Sequence, residues 1–135
     1  MGTRSSYSVI EKSGDTKKVL CNIYCQYDGY PTGHPLDTAK FLSGRKVVNG
    51  FASNDTKVFN GAGCLAARLI GFLKEDKIGN VYIQDVESRG NCGEEYLYDI
   101  IVDEDKRQVQ IVATNDSGEE FFSGSPSQYL SRYGS

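Results

Sequence analysis

The sequence predicts an α+β fold: one domain with an antiparallel or mixed sheet of about five strands, a buried central helix and one or two shorter helices. Three observations lead there. The chain opens with two alternating apolar runs joined by turn residues, its middle carries one long run of helical period, and its second half returns to alternation. Its 135 residues suffice for one real core and are expected to form one domain.

Ser6 to Lys12 and Lys18 to Gln26 read as a hairpin closed by Ser13-Gly14-Asp15-Thr16. After a loop, Pro35 suits the first turn of a short helix that Gly44 stops, with Leu36, Ala39, Phe41 and Leu42 as its apolar positions. The stretch from Lys46 to Phe59 holds an Asn49-Gly50 turn but no period, and is expected to be loop with at most a helical turn. Asn60 then caps the central helix, where Leu65, Leu69, Phe72 and Leu73 recur at helical spacing and Ala66, Ala67 and Ile70 widen the stripe. Val81 to Val86, Tyr96 to Val102 and Arg107 to Ala113 alternate and are expected to form a meander. Tyr96, Tyr98, Ile100 and Val102 share one face while Leu97 and Ile101 occupy the other, so this strand is expected to be covered on both sides. Pro126 opens one or two final helical turns that pack Tyr129, Leu130 and Tyr133 inward.

Charge and cysteine placement narrow the function classes. A net charge of −3 argues against tracking along nucleic acid, which requires many cations on phosphates. No apolar run reaches the roughly 20 residues of a membrane helix, and no secretion signal opens the chain, so the expected setting is soluble and intracellular. Cys21 and Cys25 lie four residues apart on a strand, a span of roughly 13 Å, beyond the roughly 7 Å that a disulfide tolerates between Cα atoms. They read as reduced, small core residues beside Val19 and Ile23.

The densest cluster of constraint is Gln26 to Pro35, QYDGYPTGHP, which contains the one histidine of the chain. Tyr27, Asp28, Tyr30 and His34 are its candidate binding residues, on a loop stiffened by glycine and proline. Asn60, Gly61 and Gly63 are candidates for a second reason: glycines at a helix start leave backbone N–H groups able to face an anion. Cys92 and Glu94 complete the set, since a thiol nucleophile at Cys64 or Cys92 would need His34 as base, with Asp28, Asp37 or Glu94 to orient it. Nothing in the spacing joins these groups, so no catalytic residue is assigned. One histidine and scattered cysteines form no metal-ligand pattern, and no cofactor is indicated.

Four segments in combination, MGTRS, QYDGYPTGH, FNGAGCLAA and NCGEEY, resemble a family of small proteins of phages, bacteria and large DNA viruses of eukaryotes. In that family glycine usually follows the histidine; here Pro35 stands there and stiffens the loop. The resemblance implies a viral or phage-related accessory protein, located in host cytoplasm, nucleus or virion, and brings no catalytic role with it. Nine tyrosines and few strong catalytic groups favour an interaction or structural module over an enzyme, self-associating as a homodimer or contacting a host or virion protein. The alternative is a module for a small nucleotide-like or anionic ligand, or a Cys-His enzyme.

Overall fold

The computed structural model describes residues 2–48, 58–76 and 78–134. Its elements run β1 (Ser5–Ser13), β2 (Thr16–Cys25), α1 (His34–Leu42), β3 (Lys46–Val48), β4 (Val58–Asn60), α2 (Gly61–Lys74), β5 (Val81–Gln84), a 3-10 turn at Val86–Ser88, β6 (Tyr96–Asp103), β7 (Gln108–Asn115), β8 (Glu120–Gly124) and α3 (Pro126–Tyr133). This is an α+β domain with a mixed six-stranded sheet ordered β5-β2-β1-β6-β7-β8 and a small parallel pair, β3-β4.

The hairpin is antiparallel, and β1 pairs in parallel with β6, so the two strands with the most enclosed side chains lie side by side at the centre. Tyr7, Val9, Tyr98, Ile100 and Val102 are all fully buried there, on the face that the helices cover. Leu65 and Leu69 of α2, Ala39 and Leu42 of α1 and Tyr129 of α3 close over that face to make one core. Ser125 starts α3 with a capping box to Gln128, the N-terminal signature that satisfies two orphan backbone donors at once.

Several expectations are corrected. The sheet has six strands rather than about five, because β8 was not legible: Phe121 and Phe122 are adjacent and break the alternation that marks a strand. The three later strands do not form a meander. Val81 to Gln84 crosses to pair with β2, and β6 inserts beside β1 instead. Lys46–Val48 and Val58–Asn60 are strands, too short for periodicity to reveal, while the Asn49-Gly50 turn lies outside the described residues. Leu20 bulges out of β2, since Val9 pairs with Cys21 and Ile10 with Val19. The extra residue shifts the phase of the strand, leaving Val19 40% exposed rather than beside Ile23 and Cys25 in the core. Ala67 faces solvent on α2.

The connection from β5 to β6, residues 85–95, passes over the sheet face opposite the helices. Ser6, Ser8 and Asn22 point to that side and are buried beneath it, and Ile101 is buried on the same face. The sheet is therefore enclosed by helices on one side and by a polar strap on the other. Because Leu69 is fully enclosed at the centre of this arrangement, Leu69→Ala is expected to cost about 2–5 kcal/mol in urea unfolding, against less than about 0.5 kcal/mol for Val19→Ala.

Candidate functional site

The loop 26–35 leaves β2 and enters α1, and three buried tyrosines hold it. Tyr98 on β6 donates to the Gly29 carbonyl at 2.7 Å, and Tyr129 on α3 donates to the Pro31 carbonyl at 2.6 Å. Tyr7 on β1 lies 2.7 Å from His34 Nδ1 and 3.1 Å from Thr38 Oγ1. A hydroxyl can donate once and accept besides, so Tyr7 links the imidazole to the first turns of α1. Burial pushes all three phenols up, with neighbouring tyrosines adding to the effect at Tyr98 and Tyr129, so they remain protonated donors.

Backbone bonds complete the frame. Gly29 N–H donates to Thr3, His34 N–H to the Asp28 carbonyl, and Gln26 N–H to Asn80, whose side-chain oxygen also accepts from Tyr27 N–H. Asp28 sits in the left-handed region at φ 58, which aspartate tolerates better than most residues. The glycines are required for close approach: a Cβ at Gly29 would overlap the Ser5 side chain, and one at Gly33 the Asp28 carbonyl oxygen.

This frame borders a cleft of about 360 Å³ between the loop, the end of α2 and the turn before β5. Tyr27, Asp28, Tyr30, His34 and Asp37 line one side, and Phe72, Leu73, Glu75 and Asn80 the other, with Cys25 also contributing. Three carboxylates and no lysine or arginine stand among the described lining residues. Burial lowers His34 to about 4, opposed in part by the charge of Asp28, a hydrogen bond to the Tyr27 carbonyl and Asp37, so the ring is neutral at pH 7. Burial pushes the Cys25 thiol, which lines the same cleft, up to about 12, which keeps it protonated and unfit as a nucleophile.

The remaining sequence candidates lie elsewhere. Asn60, Gly61 and Gly63 sit at the opposite end of α2, about 14–18 Å along the helix from Phe72. There Glu104 occupies the position an anion would take: its Oε1 accepts from Ala62 N–H at 3.1 Å, so the helix start is served from within the chain. Asn60 is the N-cap residue but makes no capping bond with its side chain. Cys64, in the first turns of α2, shares that end.

Cys92 and Glu94 belong to the strap, across the sheet from His34. The Glu94 carboxylate accepts from Ser6 Oγ at 2.7 Å, Gly90 N–H at 2.9 Å and Cys92 N–H at 2.6 Å. Partial burial raises its pKa, but these donors outweigh that and hold it below the usual carboxylate range. Its partners make Glu94 the rivet of the strap to β1, aided by the 2.7 Å ion pair between Arg89 and Asp99. Of the nine candidates, the structure brings together Tyr27, Asp28, Tyr30 and His34. Asp37, weighed in the sequence as an orienter for His34, joins them, as do Glu75 and Asn80, which no local cue singled out.

No family model, no curated protein and no solved structure matches the chain. Among the described residues no group of three His, Cys, Asp or Glu side chains is placed to hold a metal ion, and no helix is long and apolar enough to cross a membrane.

Two predictions follow from the anchoring and from the imidazole. Tyr98→Phe leaves the Gly29 carbonyl without its buried donor and is expected to cost about 1–3 kcal/mol, with faster amide exchange at Gly29 and His34. His34, with a folded pKa of about 4 against an ordinary value of 6.5, binds its proton more weakly when folded. Its contribution is complete above pH 6.5 and is lost as pH falls toward 4, reaching roughly 3 kcal/mol. Denaturation across that window should show the slope, and His34→Gln should flatten it.

Proposed function

We propose that this protein is a recognition module that reads a cationic group on a partner, a lysine or arginine side chain or a free amino terminus, in the cleft beside the loop 26–35. One observation carries the reading: Asp28 and Asp37 line a cleft edged by the exposed rings of Tyr27 and Tyr30, with no lysine or arginine among its described lining residues. Carboxylates supply the attraction, and tyrosine faces favour an ammonium or guanidinium near their rings. A neutral His34 adds no repulsion. The loop is pinned before a partner arrives, so little ordering entropy is lost on binding.

The same lining disfavours the nucleotide-like or anionic ligand, whose phosphates would meet Asp28 and Asp37. A Cys-His enzyme is disfavoured by chemistry: the thiol that shares the cleft with His34 is Cys25, held protonated by burial. Recognition without turnover also suits the accessory role that the family resemblance implies, with a host or virion protein as the partner.

A titration of isotope-labelled protein with a short lysine- and arginine-bearing peptide tests this. Amide shifts are expected at Tyr27, Asp28, Tyr30, His34 and Asn80, fading with added salt. Asp28→Asn and Asp37→Asn should each weaken binding by about 3- to 10-fold, on the order of 1 kcal/mol. Equal shifts from a glutamate-bearing peptide of the same length, or none from either, would sink the reading.

A further inference from the structure

We propose that a basic groove between the end of α1, the start of β7 and the start of α3 docks an acidic segment of a partner protein. Two hollows of about 470 and 300 Å³ share Gln108, Val109, Ser125 and Gln128 in their walls, so they form one groove. Among its described lining residues, Arg45, Lys46 and Arg107 face the larger hollow, and Lys12 and Lys106 the smaller, with Asp103 as the one carboxylate. This is a local excess of positive charge on a chain whose net charge is −3. Not all of it is available. Lys12 reaches Asp103 at 3.8 Å, so the smaller hollow is partly neutralised from within. Arg45 lies over the Phe41 ring, 4.6 Å from its centre, and donates to the Phe41 carbonyl. Lys46 and Arg107 therefore carry the attraction, both exposed, on a hollow with no carboxylate among its described lining residues.

Charge and lining select an acidic peptide as the occupant. Lysine and arginine attract carboxylates, and the positive end of α3 opens on the same groove, where the Ser127 amide in the first turn has no intrahelical acceptor. Two joined hollows offer more length than a lone ion needs. No aromatic side chain is among the described lining residues, so nothing there stacks a nucleic-acid base. Gln108 is exposed at the centre of the groove, and its amide can donate and accept at once, which suits a peptide backbone. The acidic cleft borders the start of α1 at His34 and Asp37, whereas this groove borders its end at Leu42 and Ser43, so the two surfaces are separate and of opposite charge.

Titration of the isotope-labelled full chain with a short glutamate-rich peptide tests the groove, with circular dichroism reporting the fold of each variant. Amide shifts are expected at Lys46, Arg107, Gln108 and Ser127, and they should fade with added salt. Lys46→Glu and Arg107→Glu should each weaken binding by about 5- to 10-fold. Lys18→Glu makes the same charge change at an exposed position of β2 outside the groove, and should weaken binding less than about twofold. No shift at the groove amides, an equal loss from Lys18→Glu, or tighter binding of a single-stranded oligothymidylate than of the peptide would overturn the proposal. The cleft is judged by other amides: shifts at Tyr27 and Asn80 with the lysine- and arginine-bearing peptide stand or fall independently of the groove.

Discussion

Three phenolic hydroxyls, from β1, β6 and α3, converge on the loop 26–35, and the arrangement of the cleft depends on them. A loop of ten residues carrying two prolines and two glycines has backbone carbonyls that no sheet or helix satisfies. Buried against the core, an unpaired carbonyl is costly, and a tyrosine donor removes that cost while its ring adds apolar contact. Tyr7 and Tyr98 also pack against each other at 5.4 Å between ring centres, so the donors are held by the same core that they serve. The loop inherits the rigidity of the sheet.

The opposite face of the sheet is organised by a carboxylate instead. Glu94 gathers a serine hydroxyl and two backbone amides, which ties the strap to β1 and lets polar Ser6 and Ser8 be buried at little cost. Ser8 finds its partner in the Asn22 side-chain oxygen. The two faces thus use different physics: aromatic packing with directed hydroxyls under the helices, and a charge-assisted network under the strap. The helix face leaves an open cleft next to its anchors, lined among the described residues by Asp28, Asp37 and Glu75 and by no lysine or arginine. Lys74, at the end of α2, donates to the Gly79 and Val81 carbonyls and so closes the turn before β5.

Much of the fold was legible because periodicity is a local property. The β1–β2 hairpin, the start of α2 after Asn60 and the stop of α1 before Gly44 all follow from residues within a few positions of one another. The same locality exposed the loop 26–35 as a place of constraint. It failed where pairing is remote: alternation showed Val81 to Gln84 to be a strand but could not say that it joins β2 rather than β6. It failed likewise at Leu20, where one bulged residue inverts the face of Val19, and at β8, where adjacent phenylalanines hide the alternation.

The sequence by itself determined the class of fold, the main helix and the loop that borders the site, since turn chemistry and side-chain period act within a few residues. Tertiary structure alone decided which candidates meet. His34 and Cys92, both plausible members of one catalytic pair, fall on opposite faces of the sheet because β6 inserts beside β1 and draws the strap across the far side. Burial then made His34 neutral and Cys25 protonated, and it placed Asp28, Asp37 and Glu75 around one cleft. Desolvation and charge proximity are properties of three-dimensional neighbours, so no spacing along the chain could have announced them.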